Sequence, residues 1–178
     1  MQLWLIRHPP PQVAAGVCYG RTDLALADDV AAAAARIRPQ LPPHGPLFTS
    51  PLQRCRQLAD ALHSSPQSDD RLQEMHFGDW EMTPWAQIQR AALDGWAADP
   101  LGYRPPQGES VAELQARVLA FVTETQRAGL QQAVLVTHAG VMKVIVGQVR
   151  GLPERKWMSL SFEYESVVCV EFTSAAAC

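Results

Sequence analysis

Short apolar runs alternate with amphipathic stretches along the chain. Residues 2–6, 46–49 and 133–136 are brief apolar runs bounded by turn-forming residues, a pattern typical of buried strands. A fourth run at 167–172 predicts a closing strand, which could lie at a sheet edge and pair with a second copy of the chain. The Pro-rich, Gly-containing segment from 9 to 23 cannot form regular helix.

Capping residues mark where the helices begin. Asp28 or Asp29 is suited to cap an alanine-rich helix over residues 31–35, which should end before Pro39. Ser50, directly before a proline, predicts a helix with Ser50 as its cap that ends near residue 63.

Three more helices follow from similar signals. Thr83 precedes a proline and predicts a helix through residue 96. Ser110 and Glu113 form a capping box before an apolar face. Residues 141–149 predict the last helix.

The alternation of strands and helices predicts the fold class. It favours an α/β protein with a largely parallel sheet and helices on both faces. We find no repeat and no linker, so residues 1–178 are expected to form one domain. In such sheets ligands bind beyond the carboxyl ends of the strands.

Composition narrows the class of partner. A formal charge of −3 gives no general attraction to nucleic acid, and the apolar runs are too short to span a membrane. The N-terminus lacks the features of a signal peptide, and the four cysteines form no Cys-x-x-Cys pair. We therefore expect a cytoplasmic protein with no metal or other cofactor.

Two predicted strands end in histidine. His8 follows the first strand beside Arg7, and His138 follows the strand at 133–136. Both should lie at the carboxyl edge of the sheet. Arg54, in the first turn of the helix after Ser50, should reach the same edge, where the helix N-terminus also favours an anion.

These residues suit phosphoryl transfer. A neutral imidazole can attack phosphorus, and His8 is the candidate nucleophile. Arg7, Arg54 and a protonated His138 would stabilise the phosphoryl charge without a metal. The expected substrate is a small-molecule phosphate ester.

The leaving group also needs an acid. Glu74 is a candidate because apolar neighbours would partly desolvate it, although Asp79 and Glu81 compete for the role. His76 lies in the same stretch and is interpreted as structural.

Four motifs in order resemble the histidine phosphatase superfamily, the phosphoglycerate mutase-like group. They are Leu-Ile-Arg-His at 5–8, Ser-Pro-Leu-Gln-Arg at 50–54, the stretch at 74–81, and Val-Thr-His-Ala-Gly at 136–140; Gly-Glu-Ser at 108–110 also fits. The resemblance implies a three-layer α/β/α sandwich. It further implies a phosphomonoesterase that works through a phosphohistidine on His8.

The resemblance also assigns roles to individual residues. It implies that three residues are catalytic: His8, His138 and Glu74. It also favours Glu74 over Glu81 as the acid. Arg7, Arg54 and Ala139 are assigned to phosphate binding. Residues 18–26 resemble the bacterial α-ribazole phosphatases of cobalamin biosynthesis, which would place Tyr19, Gly20 and Arg21 at the substrate mouth.

One departure from the family pattern leaves alternatives open. Pro9 replaces the glycine that normally follows the nucleophile; it keeps the carbonyl that orients the imidazole but loses an N–H. The polar residues that often follow are replaced by Pro10, Pro11, Gln12 and Val13. The alternatives are a mutase of the same fold and a non-catalytic protein that binds a phosphate ligand.

Overall fold

The computed structural model of the protein describes residues 1–172. Its elements are, in chain order, β1 (Gln2–Arg7), α1 (Val30–Ile37), β2 (Leu47–Thr49), α2 (Gln53–Leu62), β3 (Gln67–Ser68), α3 (Arg90–Ala98), α4 (Val111–Arg127), β4 (Gln132–Thr137), α5 (Ala139–Val149) and β5 (Val167–Glu171). Several short 3-10 helices lie between them. Within residues 1–172, no helix combines the length and apolar character needed to cross a membrane.

The five strands form one mostly parallel sheet in the order β3-β2-β4-β1-β5. Strands β1 and β4 are parallel neighbours, with Arg7 opposite Thr137, whereas β5 runs antiparallel to β1 at the edge. The prediction of a closing edge strand is confirmed. The pairing of this edge with a second copy stays a prediction.

Helices cover both faces of the sheet. Successive side chains of a strand point to opposite faces, so β1 contributes to two cores. Leu3 and Leu5 pack in the cluster that includes α4 and α5, while Ile6 packs in the cluster that includes α1 and α2. The predicted three-layer α/β/α sandwich is confirmed.

Two of the predicted helix starts agree with the structure. The Asp29 carboxylate accepts a hydrogen bond from the Ala31 N–H at 2.9 Å, so Asp29 rather than Asp28 caps α1. Ser110 and Glu113 form a complete capping box at the start of α4. Both signals are local, which explains why the sequence alone identifies them.

The predicted cap of α2 is wrong. The helix begins at Gln53 with Leu52 as its N-cap, and Leu52 makes no side-chain capping bond. The Gln53 N–H instead donates to the Asp23 carboxylate at 2.7 Å, a partner from a distant loop. Ser50 lies two residues before the N-cap, where its hydroxyl accepts the Leu52 N–H at 3.3 Å and contacts His138 Nε2 at 2.8 Å.

The predicted helix through residues 83–96 is also interrupted. A 3-10 turn covers Trp85–Gln87, and Ile88 and Gln89 are extended before α3 begins. The break lets Trp85 stack on Trp96 with ring centroids 5.9 Å apart. Aromatic packing thus overrides the local helix signal.

Candidate active site

Parallel pairing of β1 and β4 brings the two predicted histidines together. Arg7 lies opposite Thr137, so His8 and His138 leave the sheet at the same level. The backbone N–H of His8 donates to the Thr137 carbonyl at 3.1 Å, and the two imidazole centroids are 5.0 Å apart. Both side chains are buried.

The His8 imidazole is fixed at both nitrogens. Nδ1 lies 2.6 Å from the Pro9 carbonyl oxygen, so Pro9 retains the orienting carbonyl despite its missing N–H. The Arg54 Nε–H donates to Nε2 at 3.3 Å. Burial, followed by the charge of Arg54, lowers the pKa of His8 to about 3. The ring is therefore neutral at pH 7, and Nε2 carries the lone pair that a nucleophile needs.

His138 lies deeper than His8. Its Nε2 is 2.8 Å from the Ser50 hydroxyl and 3.4 Å from the Cys55 sulfur. Burial, then the charge that His8 carries when it is protonated, and then the charge of Arg54 lower the pKa of His138 well below the ordinary value. With these neighbours His138 is neutral, which differs from the protonated form expected from the sequence. A phosphate dianion bound beside His138 would raise the pKa of this histidine.

Arg54 is held by the end of the Pro-rich segment. Its Nη1 donates to the Thr22 carbonyl at 2.8 Å, and its Nη2 donates to the Gly20 carbonyl at 2.5 Å. A Cβ on residue 20 would clash with the Met75 carbonyl, so glycine is required at this close approach. The loop thereby fixes the guanidinium beside His8.

Arg7 lies under an aromatic side chain that the sequence analysis missed. Its guanidinium carbon is 3.7 Å from the centroid of the Tyr164 ring, and its Nη1 donates to the Phe162 carbonyl at 2.6 Å. The Tyr164 hydroxyl meets that of Tyr19 at 2.6 Å. Arg7 Nε is buried and has no hydrogen-bond partner among residues 1–172. That unpaired donor fits an incoming anion.

The three candidate acids lie in different surroundings. The Glu74 carboxylate lines the cavity beside His8 and accepts N–H bonds from Met75 at 2.9 Å and Gly140 at 3.0 Å. Glu81 instead bonds the backbone N–H groups of Arg21 and Thr22, and Asp79 is exposed. Only Glu74 of the three faces the cavity.

A cavity of about 210 Å³ opens beside His8. Tyr19, Ala139 and Trp85 line it, while Trp80 and Trp96 pack in the adjoining apolar cluster. Arg21 does not line it; its Nη2 lies 3.4 Å from Glu109. Among residues 1–172, no three His, Cys, Asp or Glu side chains are grouped to hold a metal ion.

Comparison with known proteins agrees with this geometry. The family model described as "Histidine phosphatase superfamily (branch 1)" matches residues 3–177. The chain belongs to the histidine phosphatase superfamily. This match confirms the resemblance to the superfamily that the four sequence motifs indicated. The relation to α-ribazole phosphatases is also confirmed, at modest identity.

Several relatives show how far the likeness extends. An adenosylcobalamin/alpha-ribazole phosphatase from Escherichia coli (strain K12) is 28% identical over 173 residues, which is 88% of this chain and 83% of that one. A glucosyl-3-phosphoglycerate phosphatase from Mycolicibacterium vanbaalenii is 32% identical over 176 residues, 88% of this chain and 77% of that one. A further relative, from Hydrogenobacter thermophilus, matches over 113 residues at 28% identity, 60% of this chain and 56% of its own.

Solved structures support the fold. The crystal structure of a phosphoglycerate mutase from Thermus thermophilus superimposes with a TM-score of 0.77 at 33% identity. The alignment covers 97% of this chain and 94% of that one. Phosphatases and a mutase thus share this architecture, so fold alone does not assign the reaction.

Arg117 anchors the loop that carries Glu74 in this histidine phosphatase. Its guanidinium donates to the carbonyls of Arg71 and Gln73 at 2.7 Å and of Glu74 at 3.0 Å, and it pairs with the Glu109 carboxylate at 2.7 Å. One side chain therefore ties three carbonyls of the acid loop to helix α4. It acts as a positioning residue.

We expect Arg117→Met to reduce kcat for alkyl phosphates by about 10²-fold, because a small displacement of an acid is costly. The loss should be much smaller in the first step with p-nitrophenyl phosphate, whose leaving group needs little protonation, whereas the second step, in which Glu74 is the expected base, should slow equally for both ester types. Arg117→Lys should recover part of the activity. Stopped-flow kinetics of the first step on both ester types checks this, and equal losses in that step would indicate a merely structural role.

Burial of neutral His8 should also make stability depend on pH. Between about pH 3 and pH 6.5 the unfolded chain binds a proton that folded His8 does not, so stability is complete above this window and falls as pH decreases through it. Within this window the free energy of unfolding should change by up to about 1.4 kcal/mol per pH unit. His138 adds to it with the same sign.

Urea unfolding at about pH 7, 6 and 5 measures this slope. We expect His8→Gln to flatten it, while His44→Gln, which changes an exposed histidine, should leave it as in the wild type. An unchanged slope in His8→Gln would contradict the neutral, buried assignment of His8.

Proposed function

We propose that this protein is a phosphomonoesterase that transfers the phosphoryl group of a small alcohol phosphate to His8 and then to water. The observation that carries the proposal is the arrangement of His8. Its Nδ1 is fixed by the Pro9 carbonyl, its Nε2 lies beside Arg54, and His138 and Arg7 surround the same point. These are the parts that a metal-independent phosphoryl transfer needs.

The proposed reaction has two displacements. In the first, His8 Nε2 forms a bond to phosphorus while the ester P–O bond breaks, and Glu74 donates its proton to the departing alkoxide. In the second, water attacks phosphorus as the P–N bond breaks, and the Glu74 carboxylate takes the proton of that water. Arg7, Arg54 and His138 would contact the phosphoryl oxygens.

The proposed substrate is α-ribazole 5'-phosphate, which the name of the Escherichia coli relative suggests. The cavity beside His8 supports it, because Phe77, Trp85 and Trp157 provide aromatic surface for the base of this compound. The apolar wall favours this substrate over a small polar phosphoglycerate, and it therefore favours a phosphatase over a mutase.

Turnover in the presence of EDTA tests the proposal. We expect the wild type to release phosphate from α-ribazole 5'-phosphate with a higher kcat/KM than from 3-phosphoglycerate, and EDTA should have no effect. Phosphate moving between positions of phosphoglycerate without release would instead identify a mutase. Binding of α-ribazole 5'-phosphate without turnover would identify a binding protein.

A further inference from the structure

Helix α5 carries a single charged side chain, Lys143, and this side chain lines the cavity beside His8. The residue is half-buried. Its ammonium donates one hydrogen bond, to the Met158 carbonyl at 3.0 Å. An ammonium has three N–H donors, so two have no partner among residues 1–172.

The surroundings of Lys143 are unfavourable for a charge. Val144, Trp157, Met158 and Leu114 line the same cavity. Burial lowers the pKa of Lys143, while the nearby Glu74 charge acts in the opposite direction. Among residues 1–172, Lys143 forms no ion pair with a carboxylate. A half-buried cation with unpaired donors in apolar surroundings is stabilised by an acceptor, and a ligand can supply it.

Glu74 is not that acceptor, because no ion pair joins it to Lys143 among residues 1–172 and its oxygens accept from backbone N–H groups. One of its oxygens accepts the Met75 N–H at 2.9 Å and the other accepts the Gly140 N–H at 3.0 Å. Arg7, the other cation of the cavity, faces His8 and the phosphate position. Lys143 is thus the remaining cation of this cavity, and it is available to contact the leaving group.

The cavity has room for an aromatic ring. Its volume is about 210 Å³, and an apolar cavity of about 150 Å³ is sufficient for benzene. One aromatic ring with a small polar substituent therefore fits beside the phosphate position. Trp85 and Phe77 offer the ring an aromatic wall.

We propose that Lys143 binds a hydrogen-bond acceptor carried by an aromatic ring within the leaving alcohol. The substrate class is then a phosphate monoester whose alcohol portion includes a ring with an acceptor atom at its far side. This inference rests on the proposed function, which gives the position of the phosphate. It adds Lys143 as the residue that selects among phosphate esters.

Two ester pairs test the inference. The 3- and 4-carboxyphenyl phosphates carry a strong acceptor, while the 3- and 4-isopropylphenyl phosphates have the same shape without one. Binding is measured by tryptophan fluorescence in the His8→Ala background, where turnover is blocked, because Trp85 and Trp157 line the cavity. We expect the better carboxyphenyl isomer to bind about 10-fold more tightly than its isopropyl counterpart, as a charge-assisted bond provides.

Three substitutions in that background identify the residue. Lys143→Met should invert the preference, because an apolar cavity rejects a carboxylate. Lys143→Arg should keep a preference for the carboxylate. Lys156→Met is the matched control, since it removes the same charge from an exposed lysine outside the cavity, and it should keep the wild-type ratio.

The outcomes separate this inference from the proposed function. A carboxylate preference that is absent, or that survives Lys143→Met, overturns the inference even if the wild type hydrolyses these esters. A Lys143-dependent preference without any hydrolysis by the wild type supports the subsite and contradicts the phosphatase. Circular dichroism confirms that each variant is folded, and Lys143→Gln replaces Lys143→Met as the neutral variant if Lys143→Met does not fold; it should remove the carboxylate preference.

Discussion

Replacement of His8 by alanine should reduce phosphate release by at least about 10⁴-fold, since it removes the proposed nucleophile. Without that imidazole, water would have to attack phosphorus directly beside Arg7, Arg54 and His138. The arginines can stabilise charge but cannot form the covalent intermediate, and His138 is fully buried with its Nε2 engaged by the Ser50 hydroxyl. The initial rate with p-nitrophenyl phosphate, in EDTA, is the measurement.

The matched control for His8→Ala is His44→Ala, which removes an exposed imidazole that does not line the cavity. It should retain wild-type activity. The His8→Ala variant should still bind inorganic phosphate, because the arginines remain. Substantial residual turnover by folded His8→Ala would show that another group, or water, is the nucleophile.

Glu74→Gln should cause the next largest loss, a fall in kcat of about 10²- to 10⁴-fold for alkyl phosphates. The substituted amide can neither protonate the alkoxide nor accept the proton of the hydrolytic water. With p-nitrophenyl phosphate the first step needs no acid, so only the second step is slowed. A burst of p-nitrophenol equal to the enzyme concentration is therefore expected, followed by slow turnover.

Stopped-flow measurement of that burst checks the role of Glu74. Asp79→Asn is the control, because Asp79 belongs to the same stretch but is exposed. It should behave as the wild type does. If Glu74→Gln hydrolyses alkyl phosphates at the wild-type rate, the acid lies elsewhere in the chain.

The central strands and the residues at their ends could be predicted because their signals are local. Apolar runs define β1 and β4, and parallel strands place His8 and His138 at one edge of the sheet. The capping box of α4 was equally readable. Each of these features is determined by residues that are close together in the sequence.

Other parts of the site depend on distant contacts. Tyr164 covers Arg7 from a loop with no periodic pattern, so nothing in the sequence indicates it. Arg117 resembles any solvent-facing residue of an amphipathic helix until the carbonyls it binds are known. Ser50 matched a helix cap, but its hydroxyl contacts the nearby His138 instead. Lys143 could have been noticed in the sequence, because it is the single charged residue of a largely apolar helix.

Rapid-quench trapping of the phosphorylated protein examines the proposed covalent intermediate itself. Wild-type protein is mixed with saturating p-nitrophenyl phosphate, quenched in alkali within milliseconds, and its peptides are mapped by mass spectrometry. We expect the phosphoryl group on His8. Steady release of p-nitrophenol with no phosphate on His8, or with phosphate on another residue, would contradict a mechanism in which His8 is the nucleophile.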